Sequence, residues 1–301
     1  MGMSSFGKNI MRNNIPSIGL ILVAILFIGI ATNMTFAHEG EEDENGMEII
    51  EENTTAAAIP HLAEQLKEWS LEVAIVALIL IILLAEYAVK KNPRKEKVKR
   101  LLFGSMIGIG IISTVFLAGG TIYLNIVSAT SGPVHWHADY EVWNCNERLD
   151  LIDPEGFSNK QGEETIHEHN DDRAHVEGVL IDLHDASYHR YFEIIGAKMD
   201  ARGMTYPANT GDVFMPRKGT CNGEPAEIQG FLFRVKNPEE AQKWEYEQTK
   251  IPYPYKEIVS PYGNVPPGDC LIIEYGPLKE KTEHICASYK VAEQRGDLNG
   301  R

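Results

Sequence analysis

The chain has 301 residues, with 28 Lys and Arg against 43 Asp and Glu and a formal net charge of −15 at pH 7. A balance that acidic repels phosphate backbones and argues against nucleic-acid binding, while suiting cation binding or plain solubility. The length allows one or two domains, and three long apolar segments reduce what remains for a soluble core.

Residues 1–37 begin with Lys8 and Arg12, followed by an apolar run at 15–37, the layout of a signal peptide or a first transmembrane helix. Thr35, Phe36 and Ala37 offer a cleavage site that would leave His38 first, its amine and imidazole then free to chelate copper. Residues 38–70 form an acidic segment, read as flexible and solvated over 38–55, with the glycosylation sequon Asn53-Thr54-Thr55. From His61 to Trp69 the spacing is helical and leads toward the next apolar segment, with Trp69 at the interface.

Residues 71–127 are expected to be a two-helix transmembrane hairpin. The run 71–87 is apolar except for Glu72 and Glu86, and 101–127 carries no charge; each comes near or exceeds the roughly 20 residues a spanning helix needs. Both glutamates lie near segment ends, within reach of headgroups, so no ion pathway is expected. Gly104 and Gly108 form a small-xxx-small pair that would permit close helix contact. The connecting loop 90–100 holds Lys90, Lys91, Arg94, Lys95, Lys97, Lys99 and Arg100 against the single acid Glu96. Such loops stay in the cytoplasm, which places residues 38–70 and 131–301 outside, with the lipid bilayer as a partner.

All four cysteines, Cys145, Cys221, Cys270 and Cys286, fall in 131–301. Disulfides persist in oxidising compartments, so their confinement agrees with an extracytoplasmic domain. No CxxC spacing suggests a zinc knuckle. Of the three pairings open to four cysteines, Cys145 with Cys221 and Cys270 with Cys286 is the one expected. From residue 131 on there are 18 Lys and Arg against 30 Asp and Glu.

This domain reads as α+β and β-rich. Strands are expected at 134–143, 228–235 and 270–275, the last entered through the turn Pro266-Pro267-Gly268-Asp269. Asp185 or Ser187 would cap a short helix ending before Gly196. Asn237 followed by Pro238 suggests a helix over 238–249, and the Pro- and Tyr-rich stretch 251–267 a long surface loop.

In a strand at 134–143, His135, His137, Asp139 and Glu141 share one face, and Trp136, Ala138, Tyr140 and Val142 the other. The apolar face suits a core; the polar face presents two imidazoles at a spacing that can hold one metal ion. Thirty residues on lies a second His-x-His, His167 and His169, with His175 six residues later. Five of the ten histidines thus fall within 135–175. Imidazole suits zinc, copper, iron and nickel, and neighbouring carboxylates can ligate or orient the rings. The same residues on a solvated face or in a hydrogen-bonded strand pair are the bland alternative. His184, His189 and His284 stand alone and read as ordinary surface or core residues.

The segments Gly132-Pro133-Val134-His135-Trp136-His137-Ala138-Asp139, 147–156, His167-Glu168-His169-Asn170-Asp171, His175-Val176-Glu177-Gly178 and Val265-Pro266-Pro267-Gly268-Asp269-Cys270 resemble an uncharacterised family of archaeal membrane-anchored proteins with a His-rich extracytoplasmic domain. The resemblance implies export and an archaeal-type envelope protein; it implies no activity. The spacing of His135, His137 and Glu141 is also that of the first cupin metal motif. The preceding glycine is displaced and the second motif is absent, so the match shows only that such spacing can hold one ion.

Three functions fit these features. The first is a binding protein that captures or buffers copper or zinc beside the membrane, with His135, His137, His167, His169 and His175 as ligands and Asp139 in contact with the ion or behind its ligands. The second is a metalloenzyme on the same ligands, with Glu141 or Glu168 as general base. The third is a structural or interaction protein of the cell envelope whose polar strand face meets a protein partner.

Overall fold

The computed structural model describes residues 54–157, 159–240 and 243–300. The apolar run at 15–37, the cleavage site, His38 and Asn53 of the sequon lie outside the described residues.

Two long helices come first, α1 (Thr54–Lys91) and α2 (Glu96–Val127). Gln65–Lys91 and Glu96–Val127 are long and apolar enough to cross a membrane. Leu71, Leu78, Leu83, Phe103, Val115 and Ile126 are all exposed, an apolar surface that water does not favour and lipid accepts. Two expectations change here. The basic loop shrinks to residues 92–95, because Lys90 and Lys91 form the last turn of α1, where cations complement the helix dipole, and 96–100 open α2. Residues 54–70 belong to α1, which contains the helical stretch expected at 61–69 and begins already at Thr54, inside the stretch 38–55 read as flexible. The small-xxx-small pair is unused as a close contact: a Cβ at Gly104 or Gly108 would meet nothing within 4 Å.

The chain divides into two compact units, one holding residues 68–117 of the hairpin and the other residues 58–67 together with 118 onward. The domain runs β1 (Pro133–Asn144), β2 (Glu147–Leu149), β3 (Gln161–Gly162), β4 (Ile166–Glu168), β5 (Arg173–Val179), a 3-10 turn (Leu183–Ala186), α3 (Tyr188–Ile194), β6 (Lys198–Asp200), β7 (Gly203–Ala208), β8 (Gly211–Pro216), β9 (Lys218–Cys221), β10 (Glu224–Val235), β11 (Trp244–Ile251), β12 (Asp269–Gly276), α4 (Ala287–Arg295) and β13 (Leu298–Gly300). It is α+β and β-rich, as expected. A ten-stranded sheet has the order β13-β11-β10-β12-β1-β5-β4-β3, with β2 on β1 and β9 on β10; β6, β7 and β8 form a second sheet. The large sheet is mixed, with β1 parallel to β12 and β11 parallel to β13.

Each face of the large sheet carries its own core. Ala138, Tyr140 and Val142 of β1 pack with Tyr191 and Phe192 of α3 and with Leu271 and Ile273 of β12. On the other side Phe231 and Phe233 of β10 and Ile272 of β12 pack with Tyr289 and Ala292 of α4. Strand β12 is buried along its whole length, which is why 270–275 reads as a continuous apolar run rather than an alternating one. Ser187 caps α3 by accepting from Arg190 N at 3.3 Å, while Asp182, not Asp185, caps the 3-10 turn. The disulfides are Cys145–Cys221 and Cys270–Cys286, with Cα separations of 5.5 and 5.9 Å.

Among the described residues of 238–249 there is no helix; Trp244–Ile251 is strand β11, antiparallel to β10. Asn237 caps a turn instead, its Oδ1 accepting from Glu245 N at 2.6 Å and its Nδ2 donating to Lys243 O at 3.3 Å. An Asn-Pro pair serves turn and helix start alike, and the long pairing edge of β10 decides between them. Nor is 251–267 wholly superficial. Tyr255 and Val259 are completely buried, and Ser187 bridges to Ile258.

Candidate metal centre

Strand β1 alternates as its sequence implies, so His135 and His137 project from the face opposite the core residues Ala138 and Tyr140. Its antiparallel neighbour β5 sets His137 across from His175, His135 across from Glu177, and Asp139 across from Arg173. Strand β4 continues the register with His167 across from His175. Directly opposed residues share a face, so three strands lay His137, His175 and His167 in one row. His135, two residues back along β1, and His169, just past the end of β4, flank it.

The ligand atoms of His135, His137 and His175 lie within 4.8 Å of one another, a grouping that could hold a metal ion. His137 Nδ1 donates to the Gly263 carbonyl, which fixes the proton there and leaves Nε2 as a bare lone pair. That lone pair faces His135 Nε2 at 2.8 Å. The nitrogen of His135 therefore supplies the proton between them, and it also lies 3.2 Å from Glu177 Oε1. A metal ion would take the place of that shared proton. His175 Nε2 donates to Asp171 Oδ2 at 3.2 Å, so Nδ1 is its ligand atom. Rings anchored through one nitrogen by a carbonyl or carboxylate, with the other exposed, match the way metal-binding imidazoles are held.

The site is open on one side. The His135 side chain is 62% exposed and that of His175 11%. Burial lowers the His137 pKa below the ordinary imidazole value; the Gly263 hydrogen bond opposes the shift, and the nearby His175, His135 and Arg173 add to it. Burial likewise lowers that of His167, against the pull of Glu177. Both rings are thus neutral at neutral pH, the form that ligates.

His167 and His169 sit beyond His175. His167 is 2% exposed, and its Nδ1 donates to Glu163 O at 3.1 Å. His169 Nδ1 donates to Asn159 O at 2.7 Å. Asp139 is not part of the grouping: its carboxylate accepts from Arg173 Nε at 2.8 Å and from the Ser288 hydroxyl, facing α4. The two residues considered as general bases are also engaged elsewhere. Glu141 accepts from Trp143 Nε1 at 3.0 Å. Glu168 is buried and accepts from the backbone nitrogens of Asn170, Asp171 and Asp172 at 2.6, 2.5 and 3.0 Å, closing the turn between β4 and β5. The isolated histidines behave as expected: His184 pairs with Asp182 at 2.8 Å, His189 lies 3.4 Å from Glu193, and His284 stacks on Trp143 at 3.7 Å.

Sequence reasoning missed the orienting groups. Glu177 and Asp171 were within its reach, since Glu177 follows His175 by two residues on a strand and Asp171 precedes it by four. The Gly263 carbonyl was not, because 126 residues separate it from His137. Comparison of the chain with protein-family models, with characterised proteins and with solved structures gives no match, so the functional reading rests on the site itself.

Proposed function

We propose that this chain is a membrane-anchored protein whose domain after the hairpin lies outside the cytoplasm and binds a transition-metal ion, zinc or copper, through His135, His137 and His175. The observation that carries the reading is the triad: three imidazoles from paired strands with converging ligand atoms, two of them oriented by hydrogen bonds to Gly263 and Asp171. Imidazole ligation favours zinc and copper over magnesium and calcium. The two disulfides support an oxidising compartment, and the basic turn between two spanning helices supports its cytoplasmic placement. The sequence resemblance to archaeal membrane-anchored proteins agrees with that topology. Only residues 128–132 separate α2 from β1, so the ion would be held close to the lipid surface, as suits capture or buffering there.

A metal-dependent enzyme is the second reading. Three protein ligands with an exposed side leave a position for water or substrate, and a cleft of about 530 Å3 lined by Asp139, Asp171, Arg173 and Trp244 begins beside His175. Binding is preferred because Glu141 and Glu168 are both committed to other contacts.

The test is metal analysis of the full chain, purified in detergent at neutral pH and loaded with zinc. At least one equivalent should bind, and His135→Ala with His137→Ala should remove an equivalent while leaving both disulfides and the melting profile intact. Zinc content unchanged in that double variant would refute the assignment.

A further inference from the structure

Two His-x-His pairs flank His175, and their geometries nearly coincide. The rings of His135 and His137 have centroids 4.6 Å apart and planes at 78°; those of His167 and His169 are 4.7 Å apart, also at 78°. His175 stands edge-on to the inner ring of the first pair, His137, at 4.8 Å and 81°. It meets His169 of the second pair in the same way, at 5.0 Å and 76°, and stacks parallel to His167 at 5.6 Å. The array is therefore quasi-symmetric about His175.

From this geometry we infer a second metal-binding position, formed by His167 and His169 with His175 as the neighbour shared by both positions. The inference rests on the metal reading of the first triad. The five rings do not converge on a single ion. Among the described residues the only set of three or more ligand atoms gathered within 4.8 Å of one another is that of His135, His137 and His175, and His167 and His169 stand outside that grouping.

The second pair is also prepared as ligands are. Both Nδ1 atoms donate to backbone carbonyls, of Glu163 and Asn159, so both Nε2 atoms carry free lone pairs. Among the described residues nothing hydrogen-bonds to either Nε2. His167 is only 2% exposed, and its Nε2 would have no protein partner to give up on taking an ion. Asp171, bonded to His175, adds negative charge beside the second position. All four cysteines are in disulfides, so thiolate ligation is closed and the ligand class is a borderline ion that accepts imidazole, zinc(II) or copper(II). Because the one free nitrogen of His175 belongs to the first triad and the ions repel, the second ion has fewer ligands and binds more weakly than the first.

The experiment is a zinc titration of the full chain in detergent, with equilibrium dialysis for stoichiometry and cobalt(II) substitution to follow each position by its absorption. Every protein carries His38→Ala so that the N-terminal segment adds no ligand. The expected result is two equivalents in the parent. One should remain in H135A/H137A and one in H167Q/H169Q, and H175A should weaken the first step by about 100-fold and the second by less. H169Q alone, at the less buried residue of the pair, guards against misfolding of the double variant and should weaken only the second step. One equivalent in the parent, retained in H167Q/H169Q, would overturn the second position and leave the first triad standing. A single equivalent lost in both double variants, or two equivalents indifferent to H167Q/H169Q, would overturn it too. Absence of bound zinc in the parent would defeat the proposed function together with this inference.

Discussion

Asp269 and His167 are both buried polar side chains of the same domain, at different places in the ten-stranded sheet. The Asp269 carboxylate, fully buried at the start of β12, accepts from Arg234 Nη2 at 2.6 Å and Nε at 3.0 Å, from Ser260 N at 3.1 Å and from the Tyr188 hydroxyl at 3.2 Å. His167, nearly as buried, spends one nitrogen on Glu163 and leaves the other bare. A saturated buried group is a structural element, for which the gain lies in not leaving it unpaired. One with a nitrogen that no protein group engages is free to take a ligand. The β10-β12 region thus satisfies its buried charge from within, and the β1-β5-β4 edge leaves imidazole lone pairs open.

The division can be broken by mutating each side and reading both stability and metal. The largest effect belongs to Cys145–Cys221, which closes a loop of 76 residues. Replacing both cysteines by serine should cost up to about 4 kcal/mol in chemical denaturation by the chain-entropy argument, with Cys270–Cys286, at a separation of 16, nearer ~3 kcal/mol. Next, Asp269→Ala should destabilise by about 3 kcal/mol, since Arg234 loses its buried counter-charge. Zinc stoichiometry of the surviving folded protein should not change, and a loss of zinc there would erase the distinction between the two regions. On the histidine side, zinc at 100 times the dissociation constant of the first position should raise unfolding stability by about 2.7 kcal/mol, and that contribution should be lost in H135A/H137A. Because an imidazole must be neutral to ligate, binding should also release protons increasingly as pH falls below the ordinary imidazole value near 6.5, seen as a calorimetric heat that varies with the buffer.

The smallest effect is the pH dependence of the metal-free protein. Burial depresses the His137 and His167 pKa values in the folded state, so the unfolded chain binds more protons between those depressed values and the ordinary value near 6.5. Stability contributed by these rings is therefore lost as pH falls through that interval and restored as it rises. H137Q/H167Q should show a shallower slope of denaturation midpoint against pH there. An equal slope would mean the two rings titrate alike in both states.

Much of this arrangement was legible in the chain. Alternation along 134–143 separates the histidine face from the core face, and the confinement of cysteines marks the domain that needs them. Partition of the five histidines into two pairs around His175 was not legible, because it depends on the registers of β1 with β5 and β4 with β5, and a register follows from pairing partners rather than from either strand alone. Asp139 shows the limit from the other side. It lies in the histidine stripe by period, yet Arg173 and Ser288 draw it to α4. The stretch 244–251 was misread because its local signals, Asn-Pro and then charged residues, leave out the open edge of β10 that captures it.

The loop before β12 bears on when the site comes into being. His137 N donates to Tyr262 O at 3.2 Å, its ring is fixed by Gly263, and a Cβ at Gly268 would collide with the His137 carbonyl, so this strap lies directly against β1. A chain delivered from its N-terminus presents His135 through His175 long before Gly263 and Gly268. The first triad cannot take its orienting hydrogen bond until the last part of the domain has arrived and β12 has docked beside β1. Loading of the proposed metal site would thus be a late step of maturation, and a loaded site would certify that the domain has finished folding.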